Sequence, residues 1–214
     1  MASNLTVDTI RNSSGTAILM ENGVRKYAPG QVVQQFYYRY DGIESFTTST
    51  GWSARASDAD FGRAVRLTPF DTSITPMFAN SLIVWELQIL GESTVHNGGF
   101  LIGERNTVLD QNQVINRPGY EGYNNTRTID QQNTFVSDLY DGDQNSTMRL
   151  TRIMYFDAPG STELKTYIIL FTNTTDNANN TYRINRTANV SGGAVQQSAY
   201  EIGISTWCIK EIAQ

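Results

Sequence analysis

SLIVWELQIL, residues 81–90, is the clearest strand signal in the chain. Its apolar side chains recur at every second position, at Ile83, Trp85, Leu87 and Ile89. A period of two is typical of a β-strand that turns one face toward a core. We therefore expect a sheet built around this strand, with Trp85 in the core.

Runs of the same character follow along the chain, separated by turn residues. They are QVVQQFYYRY (31–40), GGFLIGERN (98–106), STMRLTRIMYFDAPG (146–160), ELKTYIILFTN (163–173), NTYRINRT (180–187) and AYEIGISTWCIKEIAQ (199–214). No amphipathic helix of about ten residues or more can be placed. About eight strands after Gly30 predict an all-β protein, an antiparallel β-sandwich of the jelly-roll-like type.

Two pairs of these runs flank short turn segments. GESTVHNGG joins residues 81–90 to 98–106, and a turn at Pro159-Gly160 precedes the run 163–173. Because turn residues between two strand-like runs favour a β-hairpin, we expect each pair to form one.

The composition supports an all-β chain and excludes several functional classes. Among 214 residues there are 24 Thr, 18 Asn and 17 Gly, which suit pleated surfaces and turns. A net charge of -5 without any basic run argues against nucleic-acid binding, which needs clustered cations. No apolar run is long enough for a transmembrane helix, so we expect no membrane insertion. The single Cys208 lies in an apolar strand and is expected to be a buried thiol.

The N-terminal residues 1–28 form a separate, patterned segment. LTVDTI (5–10) is followed by the turn RNSSG, by TAILME (16–21) and by Asn22-Gly23. Such a hairpin is too small to be stable alone, so it needs a larger partner or its own copies. We expect four apolar residues to be buried in that contact and Pro29-Gly30 to join the segment to a head of residues 30–214. The four residues are Val7, Ile10, Ile18 and Leu19.

The search for catalytic or metal-binding residues yields little. His96, in a loop, is the only histidine and therefore the only candidate for a Ser-His-Asp system, although a solvated loop residue is the simpler interpretation. With one His and one Cys, a His/Cys metal cluster would need several subunits to share it. DGDQNS (141–146) begins like a calcium loop, but position six is Ser146 and position twelve is Arg152. A looser calcium site with Asp138 and paired carboxylates for glycoside hydrolysis remain open from sequence. We expect a protein that is not an enzyme and has no cofactor.

A polar excursion covers residues 107–146, and long loops on rigid sandwiches often bind ligands. Tyr120, Tyr123 and Tyr140 lie there among amides and carboxylates, and Trp52 lies at a turn edge. Aromatic rings flanked by amides suit a sugar-binding surface, so these four residues are the candidate glycan-binding set. The alternative is that the tyrosines pack the excursion against the sandwich or a neighbouring subunit.

The order of short motifs resembles the fibre and spike-type virion proteins of tailed bacteriophages, particularly those of marine and cyanobacterial phages. The motifs are LTVDTIRNSSGT, PGQVVQ, SITPMFANSLIVWE, YFDAPGSTELKTYIIL, TYRINRT and ISTWCIKEIAQ. The resemblance covers residues 4–214 except the polar excursion. It implies a trimeric jelly-roll-like knob, with residues 1–28 as the virion-attachment or stalk segment.

Three functions are compatible with this resemblance. The first is a homotrimeric tail-fibre or knob-like appendage, made in the bacterial host cytoplasm, that binds other virion proteins through its N-terminus and host-surface glycans through its head. The second is a capsid or neck decoration protein that stabilises the particle. The third is a glycan depolymerase, although the chain lacks the long repetitive β-helix of glycan-cutting tailspikes.

Overall fold

The structure is a computed structural model of the whole chain. It describes residues 27–48, 64–94, 98–106, 147–173, 180–187 and 201–214, and the backbone of six short strands outside these ranges. The strands are β1 (Ile10–Arg11), β2 (Ala17–Ile18), β3 (Met20–Glu21), β4 (Val24–Arg25), β5 (Val32–Tyr40), β6 (Glu44–Thr47), β7 (Val65–Arg66), β8 (Thr72–Ile74), β9 (Leu82–Ser93), β10 (Gly98–Asn106), β11 (Gln111–Val114), β12 (Val136–Ser137), β13 (Arg149–Asp157), β14 (Lys165–Asn173), β15 (Thr181–Ile184) and β16 (Ser205–Ile212). A 3-10 turn, Thr68–Phe70, lies between β7 and β8.

Strands β5 to β16 form two six-stranded antiparallel sheets, which confirms the predicted β-sandwich, and β1 pairs with β2 and β3 with β4 in two small ribbons. In the first sheet β5 pairs with β16, β16 with β9, and β9 with β13, while β15 and β6 extend it beyond the end of β16. In the second sheet β7 and β8 both pair with β14, β14 pairs with β10, and β10 pairs with β11 and β12.

The pairing scheme is that of a jelly roll. If β7 with β8, and β11 with β12, each count as one interrupted strand, eight strands follow one another from β5 to β16, leaving aside β6 and β15. The first then pairs with the last, the second with the seventh, the third with the sixth and the fourth with the fifth. This nested pairing is the double Greek key of jelly-roll domains.

Both predicted hairpins are wrong, because each pair of consecutive runs is divided between the two sheets. β9 pairs with β13, and β10 pairs with β14, so the chain crosses from one sheet to the other after both β9 and β13. Packed sheets lie about 10 Å apart, a distance that the seven residues 158–164 span easily. The corner lets all four strands bury an apolar face in one core, which a flat hairpin would not.

The core between the sheets consists of large side chains from both. In the first sheet Trp85, Leu87 and Ile89 are fully or almost fully buried, as the period of two predicted. Phe100 and Phe171 of the second sheet are also buried, with ring centroids 5.5 Å apart. Cys208 is buried, in agreement with the sequence, although its side chain faces away from this core.

The two sheets differ on their outer sides. On β14, Ile168 and Leu170 alternate with the core residues and are nevertheless fully buried. The second sheet is therefore covered on both faces at its centre. The outer side of the first sheet, by contrast, carries exposed apolar side chains.

A buried asparagine directly after β15 connects the turn that follows β5 with the start of β16. Asn185 has a positive φ of 58° and is fully buried. Its Nδ2 donates to the carbonyl oxygens of Tyr40 (2.8 Å) and Gly42 (2.9 Å), and its Oδ1 accepts from Ser205 Oγ (2.7 Å). Asn tolerates the left-handed conformation better than most residues, which explains its use at this position.

The joint between the N-terminal segment and the sandwich is a tight turn. Gln31 N donates to Ala28 O, and Gly30, with φ of 84°, follows Pro29, as a type II turn requires. Gly30 N donates to Ala213 O at 2.8 Å, so the turn is fixed to the residue that directly follows β16. The chain therefore enters the sandwich beside its own C-terminal strand.

Candidate functional site

The outer face of the first sheet is the side of β5, β16, β9 and β13 that is turned away from the second sheet. On β13 every second side chain points there, and three of these are large, apolar and about half exposed: Leu150 (45%), Met154 (51%) and Phe156 (55%). Tyr37, on the strand β5 at the opposite edge of the sheet, is 76% exposed. A sheet face in contact with water normally carries polar side chains. Along β13 this face carries mainly apolar ones.

The strand register places these side chains in rows across the sheet. Met154 lies opposite Glu86, Glu86 opposite Cys208, and Cys208 opposite Tyr37. Directly opposed residues in antiparallel strands are within side-chain contact distance. The row thus runs from an apolar edge through a polar centre to an aromatic edge.

The polar centre of this face is electrically balanced. Lys210 Nζ donates to Glu86 Oε1 at 2.8 Å, and this bond lowers the pKa of Glu86 and raises that of Lys210. Cys208 Sγ donates to Glu86 Oε2 at 3.5 Å, and burial, followed by the charge of Glu86, raises the pKa of the thiol. A thiol with a raised pKa is a poor nucleophile, so we assign Cys208 a packing role.

These features suit a contact with another protein surface. Flat apolar patches on soluble proteins commonly mark interaction sites, and exposed edge strands with apolar side chains are usually covered. Among the described strands, β13 pairs only with β9 and β5 only with β16, so each forms an edge of the first sheet.

A second group of functional side chains, the ionic cluster, lies between the sheets where β13 leads into β14. Lys165 Nζ is 3.2 and 3.3 Å from the two carboxylate oxygens of Glu104 and 3.6 Å from Asp157 Oδ2. Tyr167 donates its hydroxyl proton to the same Asp157 Oδ2 at 2.6 Å. The Lys165 side chain is only 15% exposed, so the ammonium group is largely removed from water.

The tyrosines of this cluster remain protonated in the folded chain. Burial, then the charges of Asp157 and Glu104, raise the pKa of Tyr155 to about 12. Burial and the hydrogen bond to Asp157 raise the pKa of Tyr167 still further. Tyr167 is therefore a permanent hydrogen-bond donor to the carboxylate.

Most of the candidate site residues that the sequence suggested lie outside the described residues. Ile10 and Ile18 lie opposite each other in the β1–β2 pair, whose turn was anticipated from RNSSG. The other candidates lie outside the described residues and stay predictions: Val7, Leu19, Trp52, Tyr120, Tyr123 and Tyr140. His96 and the segment DGDQNS also lie outside them.

Sequence reasoning missed the outer face, although a signal for it was present. In RLTRIMYFD (149–157) apolar residues occupy both sets of alternating positions. Ile153 and Tyr155 lie on one side, and Met154 and Phe156 lie on the other. A strand that is apolar on both faces indicates either two covered faces or an interface. The ionic cluster had no comparable signal, because its residues come from three separate strands.

Comparisons with known proteins give limited information. No protein-family model and no curated protein matches the chain. The solved structures that match include the VP2 subviral particle of infectious bursal disease virus (TM-score 0.36, 11% identity, 92% of this chain and 45% of that one) and infectious bursal disease virus of the Gx strain (TM-score 0.33, 12% identity, 85% and 41%). The chain spans less than half the length of either matched chain.

In the described part of the chain, no helix is long and apolar enough to cross a membrane. The same residues contain no group of three or more His, Cys, Asp or Glu side chains that could hold a metal ion.

Proposed function

We propose that this chain is a structural protein of a virion, a short appendage whose jelly-roll head assembles with copies of itself and whose N-terminal segment attaches it to the particle. The observation that carries the proposal is the apolar outer face of the first sheet on an otherwise closed jelly roll. A head of this kind acts by binding and assembly rather than by chemistry.

The outer face supports self-association through its charge as well as its apolar side chains. It carries the balanced Glu86–Lys210 pair and the exposed Arg152, whereas the whole chain has a net charge of -5. Copies of a negative chain repel each other least where the surface is neutral or positive. Covering side chains such as Met154 and Phe156 would contribute roughly 1 kcal/mol each.

A closed ring of three copies is the arrangement we favour. β5 and β13 are different strands at opposite edges of one sheet, so a contact of one with the other is head-to-tail. Head-to-tail contacts that close form rings and leave no free edge. Three heads would also multiply weak single-site affinities for a repeated ligand.

The joint at residues 28–31 supports a role for the N-terminal segment in attachment. The turn is fixed to Ala213, and the ring of Tyr27 packs edge-on against Phe78, with centroids 5.8 Å apart. The turn therefore fixes the point at which the chain enters the head. Ile10, Ile18, Val7 and Leu19 would then contact the virion or the neighbouring copies.

We also propose that the head binds host glycans. The residues proposed for this contact are Trp52, Tyr120, Tyr123 and Tyr140. Replacing the three tyrosines with Ala should abolish adsorption of particles to the host while leaving the particles intact. Intact adsorption together with fragile particles would instead favour a capsid or neck decoration protein.

Labelling tests the virion role itself. Antibodies against the head, applied to purified particles, should decorate one class of surface feature by electron microscopy. A chain without residues 1–26, which keeps Tyr27 on Phe78, should fold but be absent from particles. Normal incorporation of the truncated chain would contradict the attachment role, and particles lacking the full-length chain would contradict the virion role.

A further inference from the structure

We propose that the ionic cluster is a site of spontaneous covalent cross-linking, in which Lys165 Nζ and the side-chain carboxyl of Asp157 condense to an amide with Glu104 as the proton relay. The bond would join β13 of the first sheet to β14 of the second. This inference is independent of the proposed virion role.

The geometry supplies the three groups that such a condensation needs. The amine of Lys165 lies 3.6 Å from Asp157 Oδ2, which is bonded to the carbon to be attacked. Glu104 contacts the same amine with both carboxylate oxygens, at 3.2 and 3.3 Å. Groups held at such distances react as if at very high local concentration.

The surroundings favour the neutral product over the charged reactants. The side chains of Lys165, Asp157 and Glu104 are 15%, 21% and 29% exposed, so all three charges are partly removed from water. Tyr155 and Tyr167 line the cluster, with ring centroids 6.2 Å apart. Converting an ammonium and a carboxylate to an amide removes two charges that are costly in such a place.

The step balances without any added reagent. Glu104 passes one proton from the Lys165 ammonium to the Asp157 carboxylate, which leaves a free amine and a carboxylic acid. The amine lone pair forms the bond to Asp157 Cγ, and Tyr167, which donates to Oδ2, stabilises the negative charge that develops there. Glu104 then moves a second proton from nitrogen to the other oxygen, the Cγ–O bond breaks with its electron pair, and one water molecule leaves.

The intact mass of the purified full-length chain tests the proposal. After incubation at neutral pH it should be lower, by one water molecule, than the mass calculated from the sequence with its N-terminus as found. Proteolysis should yield a branched peptide that joins Lys165 to Asp157. Lys165→Arg, which keeps the charge but not the reactive amine, and Glu104→Gln, which cannot relay protons, should both show the full mass.

Two controls separate this reaction from other losses of water. Asp41-Gly42 and Asp141-Gly142 can lose water by succinimide formation, but that loss would persist in Lys165→Arg. Lys210→Arg is the matched control, because Lys210 is also paired with a glutamate but lies on the outer face, and it should keep the mass deficit. Full mass in the incubated wild-type chain, or a branched peptide at any other pair of residues, would overturn the proposal.

Discussion

At the scale of single residues, buried polar side chains stabilise the first sheet through hydrogen bonds that the strand pairing does not supply. Asn185 and Glu211 are both fully buried and both bind backbone groups of other segments. Glu211 accepts hydrogen bonds from the backbone N–H groups of Met77 (2.9 Å) and Phe78 (3.0 Å), which fixes the turn before β9. Neither role was visible in the sequence, because a polar residue in a strand-like run is ordinarily interpreted as solvent-facing.

Replacing Asn185 with Ala should destabilise the head. The change leaves Tyr40 O, Gly42 O and Ser205 Oγ without this partner and places a Cβ-bearing residue with no compensating side chain at positive φ. The expected loss is about 3 kcal/mol or more in the free energy of unfolding, measured in urea. Asn80→Ala, in an exposed turn, is the control and should change it by less than about 0.5 kcal/mol. Equal effects would show that the network does not stabilise the fold.

The Glu86–Lys210 pair makes stability depend on pH in a defined direction. The folded-state pKa of Glu86 lies below its ordinary 4.5, so its contribution is present above that pH and is lost as the pH falls through the folded-state value. Glu86→Gln should therefore lose less stability than wild type between pH 7 and acid pH. The difference should stay below about 1 kcal/mol, because the pair is partly exposed. Urea unfolding at one protein concentration measures it, with Glu163→Gln in the exposed corner as control, and a wild-type-like loss in Glu86→Gln would contradict the account.

At the scale of elements, the sequence predicted which residues form strands better than it predicted their partners. Residues 82–93 and 165–173 are strands because of local alternation and β-branched content, which sequence displays directly. The turn residues Pro159-Gly160 suit a hairpin and a connection between two sheets equally well. The choice between them depends on the burial of both faces in a common core, a property of the whole fold.

The outer face gives a prediction for β13. Met154→Asp and Phe156→Asp place a charge on an apolar surface that we propose is covered by a neighbouring copy, so each should weaken self-association at least tenfold and leave the monomer folded. Sedimentation over a range of concentrations measures the association. Leu164→Asp is the control, since Leu164 is 52% exposed but lies outside the sheet in the β13–β14 corner. If all three variants behave alike, the outer face is not the interface.

At the scale of the whole molecule, the two sheets of the jelly roll are covered unequally. Among the residues that the structure describes, the second sheet is covered on both faces at its centre, whereas the first sheet has one exposed face and its edge strands β5 and β13 each pair on one side only. The sequence predicted the fold class, because that depends on patterning along the chain, whereas the separate N-terminal segment stays a prediction. The sequence could not predict the exposed face, because that depends on which sides of two sheets are covered in three dimensions.

The mass of the intact chain in solution tests the central claim most directly. At micromolar concentration the account predicts a species of three times the mass of one chain, measured by light scattering or native mass spectrometry. A species with the mass of a single chain at that concentration would contradict it.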